Sequence, residues 1–565
     1  MKHDAPFKIY DAAAGSGKTF TLVKEYLKHI LSSKNESYYR HLLAITFTNK
    51  AVAEMKQRII SNLVFFSKDD FVENPSDMGK NIASELELTL EQINNQSRKV
   101  VKHILHHYSY FSVETIDHFN HRIIRTFARD LKLSGNFDVD LDVQKLIAEA
   151  VDQLISKAGD DPKITKVLLD FAIDKTNEDR SWDISKDITK ISQLLYKETE
   201  EQSVLKLKKK SIDDFLALNT FLKKEKNSIT KNIKELAKET LQLIEEAGLQ
   251  FNDFSGSYLP KHFLNLSNER FNINYEAKWQ VTMGENPLYP KRVDDAIAST
   301  IDELTPVFVS NFKKTKSQAH QLMLYASMLK NSTPLSVINL VSKEIEVIKE
   351  DKNILPISEF NSLIYQEIKN QPAPFIYERL GEQYRHFFID EFQDTSYLQW
   401  QNLIPLIDNA LSQEYENNTQ GSLLLVGDAK QSIYRWRGGL PEQFIDLCAN
   451  NNPFLTEKVE VETLPKNYRS CKEIIEFNNQ FFTFISRFLG DPVYNELYKN
   501  GNNQITNSKE GGFVNIEFID AENKEERHQI YAEKVHQTIG KLTEMGYLYN
   551  DICILTRKKS EGIEL

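Results

Sequence analysis

AAAGSGKT, residues 12–19, is the stretch of this sequence that decides its fold. It follows a short apolar run, Phe7 to Tyr10, and precedes a segment with apolar residues at helical spacing between Phe20 and Ile30. A strand, a glycine-containing turn and a helix in this order direct backbone N–H groups and a helix N-terminus at one point, which suits a polyphosphate. The sequence therefore predicts a P-loop in an α/β protein. A tight turn that only caps an ordinary helix is the weaker interpretation.

Two residues of this turn have the side chains that nucleotide chemistry requires. We expect Lys18 to reach the β- and γ-phosphates of a nucleoside triphosphate and the Thr19 hydroxyl to ligate Mg²⁺. The strict pattern has glycine where Ala12 stands, so this is a variant of the motif. The predicted nucleotide-binding residues of the turn are Ala12, Ala13, Ala14, Gly15, Ser16, Gly17, Lys18 and Thr19.

Composition limits the class of protein without naming a function. The chain has 565 residues, of which 41% are hydrophobic and 27% charged, as in ordinary proteins of several domains. We find no secretory signal and no apolar stretch that could span a bilayer, and the three cysteines are far apart. These features predict a cytoplasmic protein without a membrane partner. The net charge of −11 does not predict a nucleic-acid binder, so any such site must be local.

Two further apolar runs, Leu42–Ile45 and Ser109–Val113, are predicted to be strands. Polar residues follow each run, and the carboxyl ends of strands are where α/β sheets bind ligands. Phe47 lies at the first of these ends, where it is either a stacking platform or part of the core. His118 follows the second, and alone it would be interpreted as a structural histidine.

The pattern becomes helical between residues 131 and 375. Few strand signals occur there, so we interpret this region as a helical insertion within an α/β domain. Its lysine cluster, Lys206 and Lys208–Lys210, is better explained as a solvated helix face than as a contact to a DNA backbone.

The α/β pattern returns with the apolar run His386–Ile389, which ends in DEFQDT at 390–395. In a P-loop protein, adjacent carboxylates at the end of a strand can hold Mg²⁺ and activate water. We expect Asp390 to bind the metal and Glu391 to take the proton from the attacking water. A surface acidic turn is a weak alternative because the preceding run is so apolar.

A last buried run, Leu423–Val426, leads into GDAKQSIYRWRG at 427–438. Gln431 is positioned to sense a γ-phosphate. Tyr434 and Trp436 alternate with arginines, a pattern that suits the bases and phosphates of a single strand. The alternative is a buried aromatic pair, and the arginines argue against full burial.

The remaining sequence contains LPKNYRS at 464–470 and helical patterns at 473–485 and near 526–545. The alternating run 513–518 and the apolar run 552–555 are predicted to be strands.

Taken together, these motifs resemble the superfamily 1 helicases of the UvrD/Rep type, and most of all the RecB and AddA subunits of bacterial recombination helicase–nucleases. The resemblance rests on AAAGSGKT at 12–19, ITFTNKAVAEMKQRI at 45–59, ETIDHF at 114–119, FIDEFQDTSYLQ at 388–399 with LLLVGDAKQSIYRWRGG at 423–439, and LPKNYRS at 464–470.

The resemblance implies an α/β fold: a P-loop (RecA-like) parallel-sheet domain with a large helical insertion, followed by part of a second RecA-like domain. Domain 1A would comprise residues 1–130 and 376–463, the insertion (1B-like) 131–375, and the start of domain 2A 464–565. The chain is expected to end inside domain 2A.

The resemblance also implies roles for single residues. Lys18, Glu391, Gln431 and Arg469 would be catalytic, with Arg469 as an arginine finger, and Tyr468 would stack on the adenine. Thr19 and Asp390 would bind Mg²⁺. The residues implied to line the DNA path are Phe47, Asn49, His118, Tyr434, Trp436 and Arg437.

The implied function is an ATP-dependent helicase that moves 3′→5′ on single-stranded DNA during recombinational repair of DNA ends. Its partners would be single-stranded and duplex DNA and a second helicase–nuclease subunit. We find no second arginine-finger motif, no glutamine motif before the P-loop and no nuclease carboxylate cluster. The alternatives are therefore a non-cycling fragment that binds ATP and single-stranded DNA, a stand-alone UvrD-like repair helicase, and a P-loop ATPase that acts on RNA.

Overall fold

The computed structural model describes residues 5–128, 131, 133, 137–177, 181–370, 383–415, 419–454, 459–501 and 503–565. The chain forms two compact units. The first consists of Met1–Tyr10 and Thr21–Glu462, and the second of Asp11–Phe20 and Thr463–Leu565. The domain borders predicted at residues 130 and 375–376 lie outside the described residues.

A six-stranded sheet is the framework of the first unit. The strands of the described residues are β1 Phe7–Ala12, β2 Leu42–Thr46, β3 Val113–Thr115, β4 Asp138–Asp140, β5 Ile354–Pro356, β6 His386–Ile389, β7 Glu414–Tyr415, β8 Thr419–Gln420, β9 Ser422–Gly427 and β10 Val459–Leu464. The order in the large sheet is β10-β1-β9-β6-β2-β3. Its central pairs are parallel: Ala44 lies opposite Val113 on one side and Phe388 on the other, and Phe388 lies opposite Leu424. All residues of β2 and β6 are buried, as expected for parallel strands covered on both faces.

Most of the predicted strands are confirmed. The runs that begin at Phe7, Leu42, His386 and Leu423 form β1, β2, β6 and β9. The prediction for Ser109–Val113 is wrong at its start, because Tyr108–Tyr110 form a 3₁₀ turn and β3 begins only at Val113. The N–H groups of Tyr110 and Phe111 donate to carbonyls three residues earlier, so they are not available for a strand ladder.

Helices cover the sheet and build the insertion. They are α1 Lys18–Ser32, α2 Asn49–Phe66, α3 Asp77–Leu86, α4 Leu90–His106, α5 Ile116–Thr126, α6 Val143–Ser156, α7 Pro162–Asn177, α8 Ser185–Ser192, α9 Glu201–Lys208, α10 Ile212–Glu246, α11 Tyr258–Ser267, α12 Lys278–Val281, α13 Asp295–Ser336, α14 Ile338–Lys352, α15 Phe360–Asn370, α16 Tyr397–Ser412, α17 Pro441–Cys448, α18 Lys472–Ser486, α19 Pro492–Lys499, α20 Lys524–Glu544 and α21 Lys559–Glu564. Tyr26 of α1 is fully buried, and its ring centre lies 5.2 Å from that of Phe388 in β6. No helix among these is both long and apolar enough to cross a membrane.

The helical insertion has its own apolar cores. The long helices α10 and α13 pack together around Ile233, Phe308 and Phe312, which are 0–2% exposed. A second core joins α6, α7, α8 and α14. The short strands β4 and β5 pair in parallel, with Asp138 opposite Ile354. The chain thus enters and leaves the insertion side by side.

The second unit contains the predicted helices but not the predicted strands. Helices α18 and α20 are close to the predicted ranges. Residues 513–518 and 552–555 form no strand, and Phe513, Phe518 and Leu555 are 82%, 94% and 90% exposed. These strand predictions are wrong for the structure because a strand is stable only when neighbouring strands satisfy its backbone groups and cover its apolar face.

Candidate nucleotide and nucleic-acid sites

The AAAGSGKT turn has the geometry that its sequence predicts. It joins the end of β1 at Ala12 to the start of α1 at Lys18. Gly15 and Gly17 have φ angles of +77° and +92°, a region that side chains with a Cβ avoid. The glycines are therefore required by the backbone conformation of the turn.

Three observations test whether this turn suits a polyphosphate. The Ser16 hydroxyl is buried and has no hydrogen-bond partner among the described residues. A Cβ built on Gly17 would meet no atom within 4 Å, so there is open space beside the loop. The first turn of α1 contains no acidic residue, and its N-terminus carries a partial positive charge. An unpaired donor, open space and a positive helix end fit a phosphate group.

The LPKNYRS segment lies directly on this turn within the second unit. The Tyr468 N–H donates to the Gly15 carbonyl at 2.8 Å, and Asn467 Nδ2 donates to the Ala14 carbonyl at 3.2 Å. A Cβ on Gly15 would lie only 2.6 Å from Asn467 Oδ1, so this contact also requires glycine. Asn467 is buried, whereas the Tyr468 and Arg469 side chains are exposed and available to a ligand. The structure thus brings the predicted nucleotide-binding residues Tyr468 and Arg469 next to the turn.

The predicted acidic pair lies in the first unit, at the carboxyl end of β6. The Asp390 N–H donates to the Ile45 carbonyl of the neighbouring strand at 2.9 Å, and Asp390 Oδ1 accepts from the Glu391 N–H at 3.0 Å. Glu391 has a φ of +50°, which is unusual for a residue with a side chain. Strained backbone of this kind clusters at functional sites, although it also occurs at helix ends such as Glu87 and Asn353.

Gln393 connects this pair to the next loop of the sheet. Its Nε2 donates to Glu391 Oε2 at 2.7 Å, and its Oε1 accepts from the Asp428 N–H at 2.9 Å. Asp428 in turn accepts from Gln431 Nε2 at 2.7 Å and pairs with Lys430 at 2.9 Å. Gln393 and Asp428 are each 1% exposed. The expected base, Glu391, is therefore joined to the expected phosphate sensor, Gln431, by a continuous chain of hydrogen bonds.

Gln393 and Asp428 are not among the site residues predicted from the sequence, although both lie on this hydrogen-bonded chain. The available signal was that both are polar residues that follow buried strands within one to four positions, in the DEFQDT and GDAKQ motifs. Asp394 belongs to the same region: burial raises the pKa of its carboxyl, and the negative charge of Glu391 adds to this effect.

An aromatic cluster follows the same loop. The ring centres of Phe47 and Tyr434 are 4.4 Å apart, and those of Tyr434 and Trp436 are 6.3 Å apart. The Arg437 guanidinium lies 4.9 Å from the Trp436 ring centre. Trp436 is 71% exposed, so the interpretation as a buried aromatic pair is wrong for it. We call Phe47, Tyr434, Trp436 and Arg437 the aromatic cluster.

The remaining predicted DNA residues lie on helix starts in the first unit. Asn49 is the first residue of α2 and is exposed. His118, in the first turn of α5, is exposed, and its Nδ1 lies 2.5 Å from Glu114 Oε2. Arg122 contacts the other oxygen of Glu114 at 2.6 Å. The Glu114 carboxylate thus orients both basic side chains.

A side chain of the helical insertion, Glu198, contacts the start of α16, shortly after the acidic pair. Glu198 accepts hydrogen bonds from the Ser396 hydroxyl at 2.8 Å and from the Leu398 N–H at 2.6 Å, at the start of α16. Ser396 also pairs with Gly439, two residues after Arg437 of the aromatic cluster. Burial raises the pKa of the Glu198 carboxyl, although these hydrogen bonds oppose the shift.

Comparison with known proteins gives matches along nearly the whole chain. A family model described as the UvrD/REP helicase N-terminal domain matches residues 3–247 and 188–450, and one described as the UvrD-like helicase C-terminal domain matches residues 463–565. Three curated relatives are each named as an ATP-dependent helicase/nuclease subunit. The protein of Lactobacillus acidophilus is 25% identical over 99% of this chain and 47% of its own length. That of Natranaerobius thermophilus is 24% identical over 99% and 46%, and that of Staphylococcus haemolyticus 24% over 83% and 37%. The chain therefore spans less than half the length of these relatives.

Proposed function

Because this chain belongs to the UvrD/REP helicase family, we propose that it carries the motor of an ATP-dependent DNA helicase that moves on single-stranded DNA. The single observation that carries the proposal is the hydrogen-bonded chain from Glu391 through Gln393 and Asp428 to Gln431. It ends at Gln431, three residues before Tyr434 of the aromatic cluster. Glu391, which is suited to activate water, and the aromatic cluster, which is suited to bind bases, thus lie on loops that are connected by hydrogen bonds. Such a connection is needed if ATP hydrolysis is to be coupled to DNA binding.

Five of the residues predicted from the sequence have a proposed role in phosphoryl transfer. Lys18 would bind the phosphates of ATP, and Arg469 would add positive charge as charge spreads over the γ-phosphate. Glu391 would accept the proton of the attacking water, with Gln393 holding its carboxylate in place. Thr19 and Asp390 would hold Mg²⁺, which when bound neutralises phosphate charge.

The aromatic cluster would bind the DNA. Stacking on aromatic rings tolerates any base, as a translocating protein requires. Arg437 supplies a cation for the backbone next to the exposed Trp436 ring. Tyr468, exposed beside the P-loop, would stack on the adenine of ATP.

The relatives' name suggests the wider setting. We propose that the whole protein acts in recombinational repair of DNA ends, moves 3′→5′, and works with a second helicase–nuclease subunit. The similarity along almost the full chain to proteins named as helicase/nuclease subunits supports this setting.

The test is steady-state ATP hydrolysis by this chain and by Glu391→Gln, with and without oligo-dT. General-base catalysis typically contributes about 10²–10⁴-fold, so Glu391→Gln should lower turnover by at least about 100-fold and leave ATP binding intact. Glu414→Gln is the matched control, because it makes the same chemical change at an exposed residue of β7. Equal turnover in parent and Glu391→Gln would refute the role of Glu391. Binding of ATP and oligo-dT by the parent without turnover would support the non-cycling alternative, and tighter binding of oligo-rU than oligo-dT would support the RNA alternative.

A further inference from the structure

Two side-chain amides converge on one carbonyl oxygen of the P-loop. Gln504 Nε2 donates to the Ala14 carbonyl at 2.8 Å, and Asn467 Nδ2 donates to the same oxygen at 3.2 Å. The two amides also bond to each other, because Asn467 Nδ2 lies 2.8 Å from Gln504 Oε1. Asn467 belongs to LPKNYRS, whereas Gln504 lies outside every motif of the sequence analysis.

The backbone of Gln504 is fixed on both sides. Asn479 of α18 accepts from the Gln504 N–H at 3.0 Å and donates to the Gln504 carbonyl at 2.9 Å. The Ile505 N–H donates to the Pro465 carbonyl at 2.8 Å, and its own carbonyl accepts from the Asn467 N–H at 3.0 Å. These bonds hold the backbone at Gln504 in place, and the Gln504 side chain reaches the P-loop from this fixed position.

The direction of these bonds matters for nucleotide binding. A P-loop binds phosphates through its backbone N–H groups, so its carbonyl oxygens must be satisfied from elsewhere. On the P-loop, the Gln504 amide, the Asn467 amide and the Tyr468 N–H donate to the carbonyls of Ala14 and Gly15. They therefore fix the loop without using any of its N–H donors.

We propose that Gln504 is a positioning residue for nucleotide binding, which holds the P-loop in its phosphate-binding shape through the Ala14 carbonyl. The inference rests on the proposed function insofar as the P-loop must bind ATP. Gln504 would act through the loop backbone and would not touch the nucleotide. A preorganised loop pays less conformational entropy when the phosphates bind.

The test compares Gln504→Ala and Gln504→Glu with the parent chain. The probes are a fluorescent ATP analogue and inorganic tripolyphosphate as its competitor. Loss of one hydrogen bond to a neutral carbonyl should weaken ATP binding by Gln504→Ala about three- to tenfold. The loss should be the same for tripolyphosphate, because the loop contacts phosphates and not the base. If the chain turns over ATP, KM should rise with little change in kcat.

Gln504→Glu provides a second test in case Gln504→Ala does not fold. It has nearly the same size and can still accept from Asn467 Nδ2, but it sets a carboxylate oxygen against the Ala14 carbonyl. It should weaken ATP and tripolyphosphate binding more than Gln504→Ala does. Asn503→Asp is the matched control, since it adds the same charge at the neighbouring exposed residue and should bind both nearly as the parent does.

The outcomes separate the inference from the proposed function. If the parent binds ATP and both Gln504 variants bind it equally well, the inference is overturned and the proposed function stands. If the variants lose affinity for ATP but not for tripolyphosphate, Gln504 acts on the base side and the inference is also overturned. If the parent binds no nucleotide, both are overturned.

Discussion

Replacing Gln393 with leucine should disconnect the expected catalytic base from the loop that carries Gln431. Gln393 Nε2 holds Glu391 Oε2 at 2.7 Å, and its Oε1 holds the Asp428 N–H at 2.9 Å. Leucine has a similar volume but makes neither bond. The change therefore removes the connection and leaves the packing nearly intact.

The size of the effect follows from the two lost bonds. A hydrogen bond to a charged group is worth about 1.5–3 kcal/mol, and a buried donor without a partner costs about 1–3 kcal/mol. Asp428 is 1% exposed, so water does not replace the lost acceptor. If the hydrogen bond from Gln393 to the Glu391 carboxylate stabilises the transition state, its loss should lower turnover about 10- to 100-fold, since each 1.4 kcal/mol is tenfold. The cost of leaving the Asp428 N–H without an acceptor should appear as a loss of folding stability.

The assay is ATP hydrolysis at saturating ATP with and without oligo-dT, together with ATP affinity and thermal unfolding. Gln393→Leu should lower kcat and the stimulation by oligo-dT, with ATP affinity little changed. Gln393→Glu should be destabilised mainly at neutral pH, because it places two carboxylates together and like charges raise their pKa. That penalty should shrink as the pH falls through the raised pKa. Gln413→Leu, at an exposed residue next to the end of α16, is the control and should behave as the parent does.

One result would refute this reasoning. If Gln393→Leu folds and keeps kcat and oligo-dT stimulation within about twofold of the parent, the bond to Glu391 does not position the base. Loss of stability alone, without loss of kcat, would assign Gln393 a purely structural role.

Three further predictions concern other parts of the first unit. Glu198→Ala should lower the free energy of unfolding by about 2 kcal/mol, because it leaves the Leu398 N–H and the Ser396 hydroxyl without their acceptor, and urea unfolding measures this. Burial raises the pKa of Glu198, so the native state binds a proton at this carboxyl more readily than the unfolded chain does. The parent should therefore gain stability relative to Glu198→Gln as the pH falls from 7 through this raised pKa. Equal pH dependence of the two proteins would contradict this assignment. Trp436→Ala should weaken oligo-dT binding by about 1–3 kcal/mol in fluorescence anisotropy without changing the melting temperature, because the ring is 71% exposed; unchanged affinity would exclude the ring from the DNA site.

The sheet of the first unit could be predicted from local sequence because its strands are buried on both faces. Runs such as Leu42–Ile45 and His386–Ile389 are continuously apolar, and such short runs beside glycine or acidic turns favour parallel strands. The glycines of the P-loop were equally informative, because positive φ angles at Gly15 and Gly17 leave few other residues possible.

The strand predictions at 513–518 and 552–555 failed for a physical reason. The alternation at 513–518 and the apolar run at 552–555 show only that these segments could bury apolar side chains, and the pairing energy of a strand comes from its neighbours. With Phe518 at 94% and Leu555 at 90% exposure, neither segment has such neighbours in the structure. In these two segments, the local pattern was therefore not enough to predict whether a strand forms.

The connections within the sites could not be predicted either, because they join residues far apart in sequence. Gln504 and Ala14 are 490 positions apart, and Glu198 and Ser396 are 198 apart. The motifs identify groups that can contact ATP or DNA, since chemistry restricts those residue types. The residues that hold such groups in place need only supply an amide or a carboxylate at the right point in space, so they can come from any segment that the fold brings there. Gln504 is the clearest case, because it carries no local signal and yet meets the P-loop backbone directly. Positioning residues should therefore be identified in the structure, among the side chains that hydrogen-bond to the backbone of loops such as the P-loop.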